Sequence, residues 1–132
     1  MRLEISTGVR RRGFTIIEVM VVLAILATLT MLIAPRYIRS LTLARESALR
    51  ENLTVMRYAV EQHLGDKGIA PVSLEGLVET RYLRQIPQDP VLQRSDAWVV
   101  IRANQNDAAS GIVDVRSGAP GVASDGSRFA DW

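Results

Sequence analysis

Apolar and polar positions divide the chain into four stretches. Residues 1–13 are polar and basic. Phe14 to Ala34 covers 21 residues whose only charge is Glu18. At 1.5 Å per residue a helix of that length measures roughly 31 Å, about the hydrocarbon thickness of a bilayer. From Arg36 the pattern becomes amphipathic: Ile38, Leu41, Arg45, Leu49, Leu53, Met56, Val60 and Leu64 recur at steps of three or four, apolar except for Arg45. Glu46/Arg50 and Arg57/Glu61, each four apart, are assigned to the wet faces as supporting pairs. "GDKG" (Gly65–Gly68) ends the pattern after Leu64 with a glycine cap. Pro35 interrupts an otherwise continuous helix from Phe14 to Leu64, and proline bends helices. The expectation is one long, gently bent helix.

Beyond Gly68 the pattern shortens. Ser73 precedes "LEGLVETRYL" and predicts a capped helix from Leu74 to about Thr80. "IPQDP" (Ile86–Pro90) is too proline-rich for regular structure and reads as a stiff, extended connector. Ala97–Arg102 and Gly111–Val115 read as strands joined by the polar loop "ANQNDAAS". A glycine-rich tail ends on Trp132. The predicted fold class is α+β: a long N-terminal helix, transmembrane then amphipathic, packed on a short helix and a small antiparallel sheet. The predicted segments are 1–13, 14–34, 35–64 and a small α/β head, 65–132.

Composition narrows the functions. The chain has no cysteine and one histidine, His63, which excludes a disulfide framework, a thiolate nucleophile and a multi-histidine metal centre. The net charge of +2 is a property of the beginning, where four arginines against Glu4 give residues 1–13 a balance of +3 and leave the rest at −1. That is no nucleic-acid footprint. No glycine-rich phosphate loop, Ser/His/Asp set or carboxylate pair at catalytic spacing emerges, so the chain reads as a non-enzyme. His63 reads as a solvated helix residue, and Trp98 and Trp132 as packing anchors of the head. Arginines near the two ends of the apolar run number four against four, so the positive-inside rule does not orient it.

Glu18 is the anomaly, because a carboxylate at mid-depth in a bilayer costs about 2.5–3.5 kcal/mol, less near an interface. An ordinary signal peptide has a shorter apolar core and a small-residue cut site, neither of which is present. Arg11-Arg12-x-Phe14 has the outline of a twin-arginine export signal, but an acid inside the apolar core argues against it. As a bare anchor, the segment would simply let Glu18 reach the headgroups.

"RRRGFTIIEVMVVLAIL" resembles the type IV pilin-like family, whose precursors carry a short basic leader ending in glycine. The resemblance implies that a prepilin peptidase cuts between Gly13 and Phe14 and that Phe14 becomes N-methylated. It implies that Glu18 is the family's acidic residue and that Pro35 is its helix-bending proline. Physics gives the motif sense. Once cut, Phe14 offers an amine in the membrane layer of Glu18. In a staggered bundle of parallel helices the Glu18 of one copy meets the Phe14 amine of the next, a pairing that fixes register. The apolar stripe Val19–Ile33 then becomes a filament core. Thr28 and Thr30 either bond back to carbonyls a turn earlier and soften the helix, or are simply satisfied hydroxyls.

"LEGLVETRYLRQIPQDP" and "GIVDVRSGAP…SDGSRFADW" resemble the major pseudopilins of type II secretion systems, with their short helix, "GYL" turn, "LPxDP" segment and glycine-rich closing loop. Here the turn reads Arg81-Tyr82-Leu83, and Ala70-Pro71 stands where that group has Tyr-Pro. The resemblance implies an inner-membrane protein with a cytoplasmic leader and a periplasmic head, polymerising into a periplasmic pseudopilus. Its partners would be copies of itself, sibling minor pseudopilins, the prepilin peptidase and an inner-membrane assembly platform. Alternatives are a subunit of a surface type IV pilus and a non-polymerising anchored binding module. The group's closing loop binds calcium, which implies a site at Asp125 and Asp131 with Ser124 or Ser127. The acidic run is thinner here, and Asp125-Gly126 is equally well read as a tight turn.

Overall fold

The computed structural model describes residues 13–107 and 109–132. The basic leader positions Arg2, Glu4, Arg10, Arg11 and Arg12 lie outside the described residues. The chain has two compact units, one ending at Ile38 and one spanning Arg39–Trp132. The α+β class holds: a long helix α1 (Ile16–Lys67), a short helix α2 (Leu74–Glu79), strands β1 (Trp98–Arg102) and β2 (Ile112–Ser117), and a 3₁₀ turn at Phe129–Asp131.

In the first unit every described residue is exposed. Among the described residues α1 is the one helix long and apolar enough to cross a membrane. Apolar residues all round such a segment have no core of their own, so a second apolar medium must cover them. Both threonine hydroxyls bond back one turn, Thr28 to the Ala24 carbonyl at 2.8 Å and Thr30 to the Leu26 carbonyl at 2.7 Å. A few residues on, Pro35 lies inside α1 and offers no N–H to the preceding turn.

In the second unit α1 lays Leu49, Leu53, Met56, Ala59 and Val60 against Leu74, Leu77, Leu83, Trp98, Ile112 and Val115. Each large aliphatic side chain fully withdrawn from water contributes roughly 1.5–3 kcal/mol. The predicted stripe is thus buried in its middle only. Ile38, Leu41 and Leu64 remain exposed. The helix also runs past the predicted end at Leu64. Gly65 is accommodated within it, and Gly68, with φ of 71°, makes the stop as its N–H bonds the Leu64 carbonyl at 2.8 Å.

Three expectations for this helix are corrected by tertiary partners. His63 is buried, with Nδ1 at 3.1 Å from the Ile69 carbonyl and its ring edge-on to Tyr82, so it is not a solvated residue. Glu46 and Arg50 do not form a wet-face pair, since Glu46 is buried and both side chains reach the C-terminal loop. Arg57 turns from Glu61 to Asp114 on β2, at 2.8 Å, and to the Val115 carbonyl at 2.9 Å. A partner on another element wins because it offers a charge-assisted bond in a half-buried place, where a pair along an exposed helix is worth only tenths of a kcal/mol.

Ser73 caps α2 as predicted, its hydroxyl accepting the Gly76 N–H at 3.0 Å. Arg81 follows the helix with φ of 65°, a left-handed conformation that glycine adopts more easily. β1 and β2 pair antiparallel, Trp98 opposite Ser117 and Val100 opposite Val115, with an irregularity between Ile101 and Arg102. The connector holds to its extended reading only in part. Asp89 opens a turn closed by its N–H to the Arg94 carbonyl, and its side chain is fully buried.

Candidate functional site

Two regions carry the residues singled out by sequence. At the beginning, residues 13–15 precede the helix, and Phe14 is 81% exposed. The Thr15 hydroxyl accepts the Glu18 N–H at 3.3 Å, and the Thr15 carbonyl accepts the Val19 N–H at 3.2 Å. Thr15 is therefore the N-cap of α1, and Glu18 stands three residues on, where a carboxylate faces the positive end of the helix dipole. Thr-x-x-Glu is a capping-box spacing, a signal legible in the chain that pattern reading passed over. Thr15 thus joins Phe14 and Glu18 as a residue that sets the geometry of this end. Among the described residues no side chain pairs with the Glu18 carboxylate. Phe14 and Glu18 lie four residues apart and both are exposed.

The second region is the C-terminal loop. Its Ser124 donates both its N–H, at 2.8 Å, and its hydroxyl to the two oxygens of Glu46 on α1. One turn along α1, Arg50 donates to Asp125 Oδ2 at 2.6 Å and lays its guanidinium over the Trp132 ring at 4.0 Å. Ser127 donates to Asp125 Oδ1 from its N–H at 2.9 Å and from its hydroxyl at 2.6 Å. Trp132 Nε1–H donates to the Ser127 hydroxyl oxygen at 2.7 Å, and the indole packs edge-on against Phe129. The Ser127 hydroxyl and N–H, followed by the Arg50 guanidinium, pull the Asp125 carboxyl down to about 2. Gly126, with φ of 85°, makes the tight turn expected of Asp125-Gly126. Asp131 lies exposed in the 3₁₀ turn. Among the described residues no three histidines or carboxylates converge as a metal-holding group.

Comparison with known proteins points the same way as the first region. Residues 9–34 match the family of the prokaryotic N-terminal methylation motif. The chain is 29% identical over 97 residues to the type II secretion system core protein G of Klebsiella pneumoniae, covering 61% of this chain and 69% of that one. It is also 29% identical over 101 residues to the core protein G of Pectobacterium carotovorum, covering 64% of this chain and 65% of that one. The matched region spans about two thirds of each relative's length. No solved structure matches the chain significantly.

Proposed function

We propose that this chain, a pilin-like protein of the pseudopilin type, is a structural subunit of the type II secretion pseudopilus, made as a precursor and matured at its N-terminus. The observation that carries the reading is the methylation motif over residues 9–34, joined by 29% identity to core protein G over 97 residues. In this reading the prepilin peptidase cuts between Gly13 and Phe14, and Phe14 receives the methyl group. The chemistry is done to the chain, not by it. α1 anchors the subunit in the inner membrane through its exposed apolar segment, and the head stands in the periplasm.

Assembly follows from electrostatics. Left alone in lipid, the Glu18 carboxylate carries a cost of about 2.5–3.5 kcal/mol at mid-depth. A neighbouring copy, staggered along the filament axis, brings the Phe14 amine to it and relieves that cost at one register only. Thr15 fixes the first turn from which Glu18 projects. Pro35 and the back-bonded hydroxyls of Thr28 and Thr30 weaken the helix just where it leaves the apolar run, which lets subunits adjust as they pack. Partners are copies of this chain, sibling minor pseudopilins, the peptidase and the assembly platform.

The experiment is a pair of variants expressed with the secretion machinery. Gly13→Leu should leave a precursor that keeps its leader, and mass spectrometry of the unaltered chain should find N-methyl-Phe14. Glu18→Ala should insert and be cut normally, yet fail to cross-link into filaments. A Glu18→Ala chain that assembles as well as the unaltered one makes the segment a mere anchor and overturns the reading. A filament found outside the cell would instead make the chain a type IV pilus subunit.

A further inference from the structure

The resemblance to major pseudopilins implies a calcium ion in the closing loop, and the loop's own geometry provides a direct test of that implication. Calcium takes six to eight oxygens with free lone pairs directed at one point. Here the oxygens are already committed. Both oxygens of Asp125 are in use, one held by Arg50 and one by two donors of Ser127. The Ser127 hydroxyl points its proton at Asp125 and takes the Trp132 indole N–H on its lone pair. Both Glu46 oxygens are taken by Ser124. A guanidinium 2.6 Å from the carboxylate also repels a divalent ion from the side on which it would sit. Asp131, the remaining acid of the implied set, stands exposed in the 3₁₀ turn. The residues present do not fit calcium.

We propose that the closing loop is latched to α1 by Arg50 and Glu46 in place of a metal ion, the Arg50 guanidinium supplying the positive charge around which the loop closes. The latch is a ring: Arg50 to Asp125, Asp125 to Ser127, Ser127 to Trp132, and Trp132 back to the face of Arg50. Arginine suits this place because its planar fork bonds a carboxylate at its edge while its face stacks on an indole. Glu46, one turn earlier, anchors the loop where the ring begins. Arg50 and Asp125 are about half exposed, so the ion pair alone is weak, and the closed ring is what holds the loop. Because Arg50 and Glu46 belong to α1, the loop is fastened without dependence on calcium outside the cell membrane.

The test is hydrogen exchange read by mass spectrometry on the full chain in detergent micelles, following the peptide that contains the amides of Ser124, Ser127 and Phe129. The unaltered chain should exchange identically in millimolar calcium and in chelator, with the same thermal midpoint. Arg50→Met, which keeps the aliphatic stem, should speed exchange of that peptide roughly five- to thirtyfold, the scale of one half-exposed ion pair plus one cation–π contact. Arg50→Lys, which keeps charge and loses the planar stack, should fall between the two. Exchange in the α2 peptide should stay unchanged, which separates an opened loop from an unfolded head. Calcium that slows loop exchange or raises the midpoint of the unaltered chain overturns the proposal, and so does an Arg50→Met chain whose loop exchanges at the unaltered rate.

Discussion

Removing the Asp89 carboxylate should unfasten the connector from the sheet. The side chain is fully buried and meets three donors: the Ser117 hydroxyl at 2.9 Å on Oδ2, and the Val91 and Leu92 N–H groups at 2.8 and 3.1 Å on Oδ1. Asp89→Ala leaves all three without an acceptor. An orphaned buried donor costs about 1–3 kcal/mol, and the Val91 and Leu92 amides lie near enough to the surface for water to recover part of theirs, so about 3–5 kcal/mol in total is expected. For a unit of roughly 90 residues that is a fall in thermal midpoint of well over 10 °C, at about 4–8 °C per kcal/mol. Asp89→Asn is the sharper test. Its oxygen keeps the two backbone amides, but its NH₂ group faces Ser117 Oγ, which already accepts the Ala119 N–H at 3.0 Å. The serine proton then has no acceptor, and about 1–3 kcal/mol should be lost. Ser117→Ala should cost a similar amount, and the double variant less than the sum, because the two groups serve one bond. Circular dichroism melts of the full chain in detergent would measure all four. If Asp89→Asn melts with the unaltered chain, or Asp89→Ala costs no more than the exposed Asp96→Ala, the carboxylate does not hold the connector.

Arg81→Gly should raise stability, since the left-handed backbone at φ 65° costs a side-chain-bearing residue about 1–2 kcal/mol, only partly offset by glycine's freedom in the unfolded chain; a net gain of a few tenths to about 1 kcal/mol is expected in urea melts. Ser73→Ala should cost about 1 kcal/mol by freeing the Gly76 N–H, with exchange quickening first in α2. Asp125 gives a pH signature. Its folded value near 2 lies below the ordinary 3.8, so its contribution is complete above about pH 4 and fades as pH falls towards about 2. The indole N–H resonance of Trp132 should titrate over that window in the unaltered chain and stay flat in Asp125→Asn.

Several features were legible in residue order because their causes are local. The apolar run from Phe14 to Ala34 is helical from Ile16 on, as a segment in lipid must be to satisfy its own backbone groups. Ser73 announces α2 because a cap bonds three residues ahead, and the β-branched runs in "AWVVIR" and "GIVDV", joined by a polar loop, announce a hairpin. The methylation motif was equally plain, whereas for Thr28 and Thr30 back-bonding was one of two open readings, and the structure has both hydroxyls bonded back one turn. Thr15 is legible too, because its three-residue spacing to Glu18 is that of a capping box.

The chain by itself thus determined where the membrane segment lies, that it carries a processing motif and one acid, and that a small α+β head follows. Only the tertiary structure decided which polar groups go inside. Glu46, His63 and Asp89 read as surface residues in sequence, yet each is buried: Ser124 satisfies Glu46 and Ser117 helps satisfy Asp89 from far along the chain, while His63 meets the Ile69 carbonyl and the edge of Tyr82. Glu46 meets Ser124 across 78 positions, and Arg50 meets Asp125 across 75. A helical pattern records which residues share a face, not what comes to cover that face. When the covering loop supplies hydrogen bonds, a charge that periodicity assigns to water becomes the anchor that holds the loop in place.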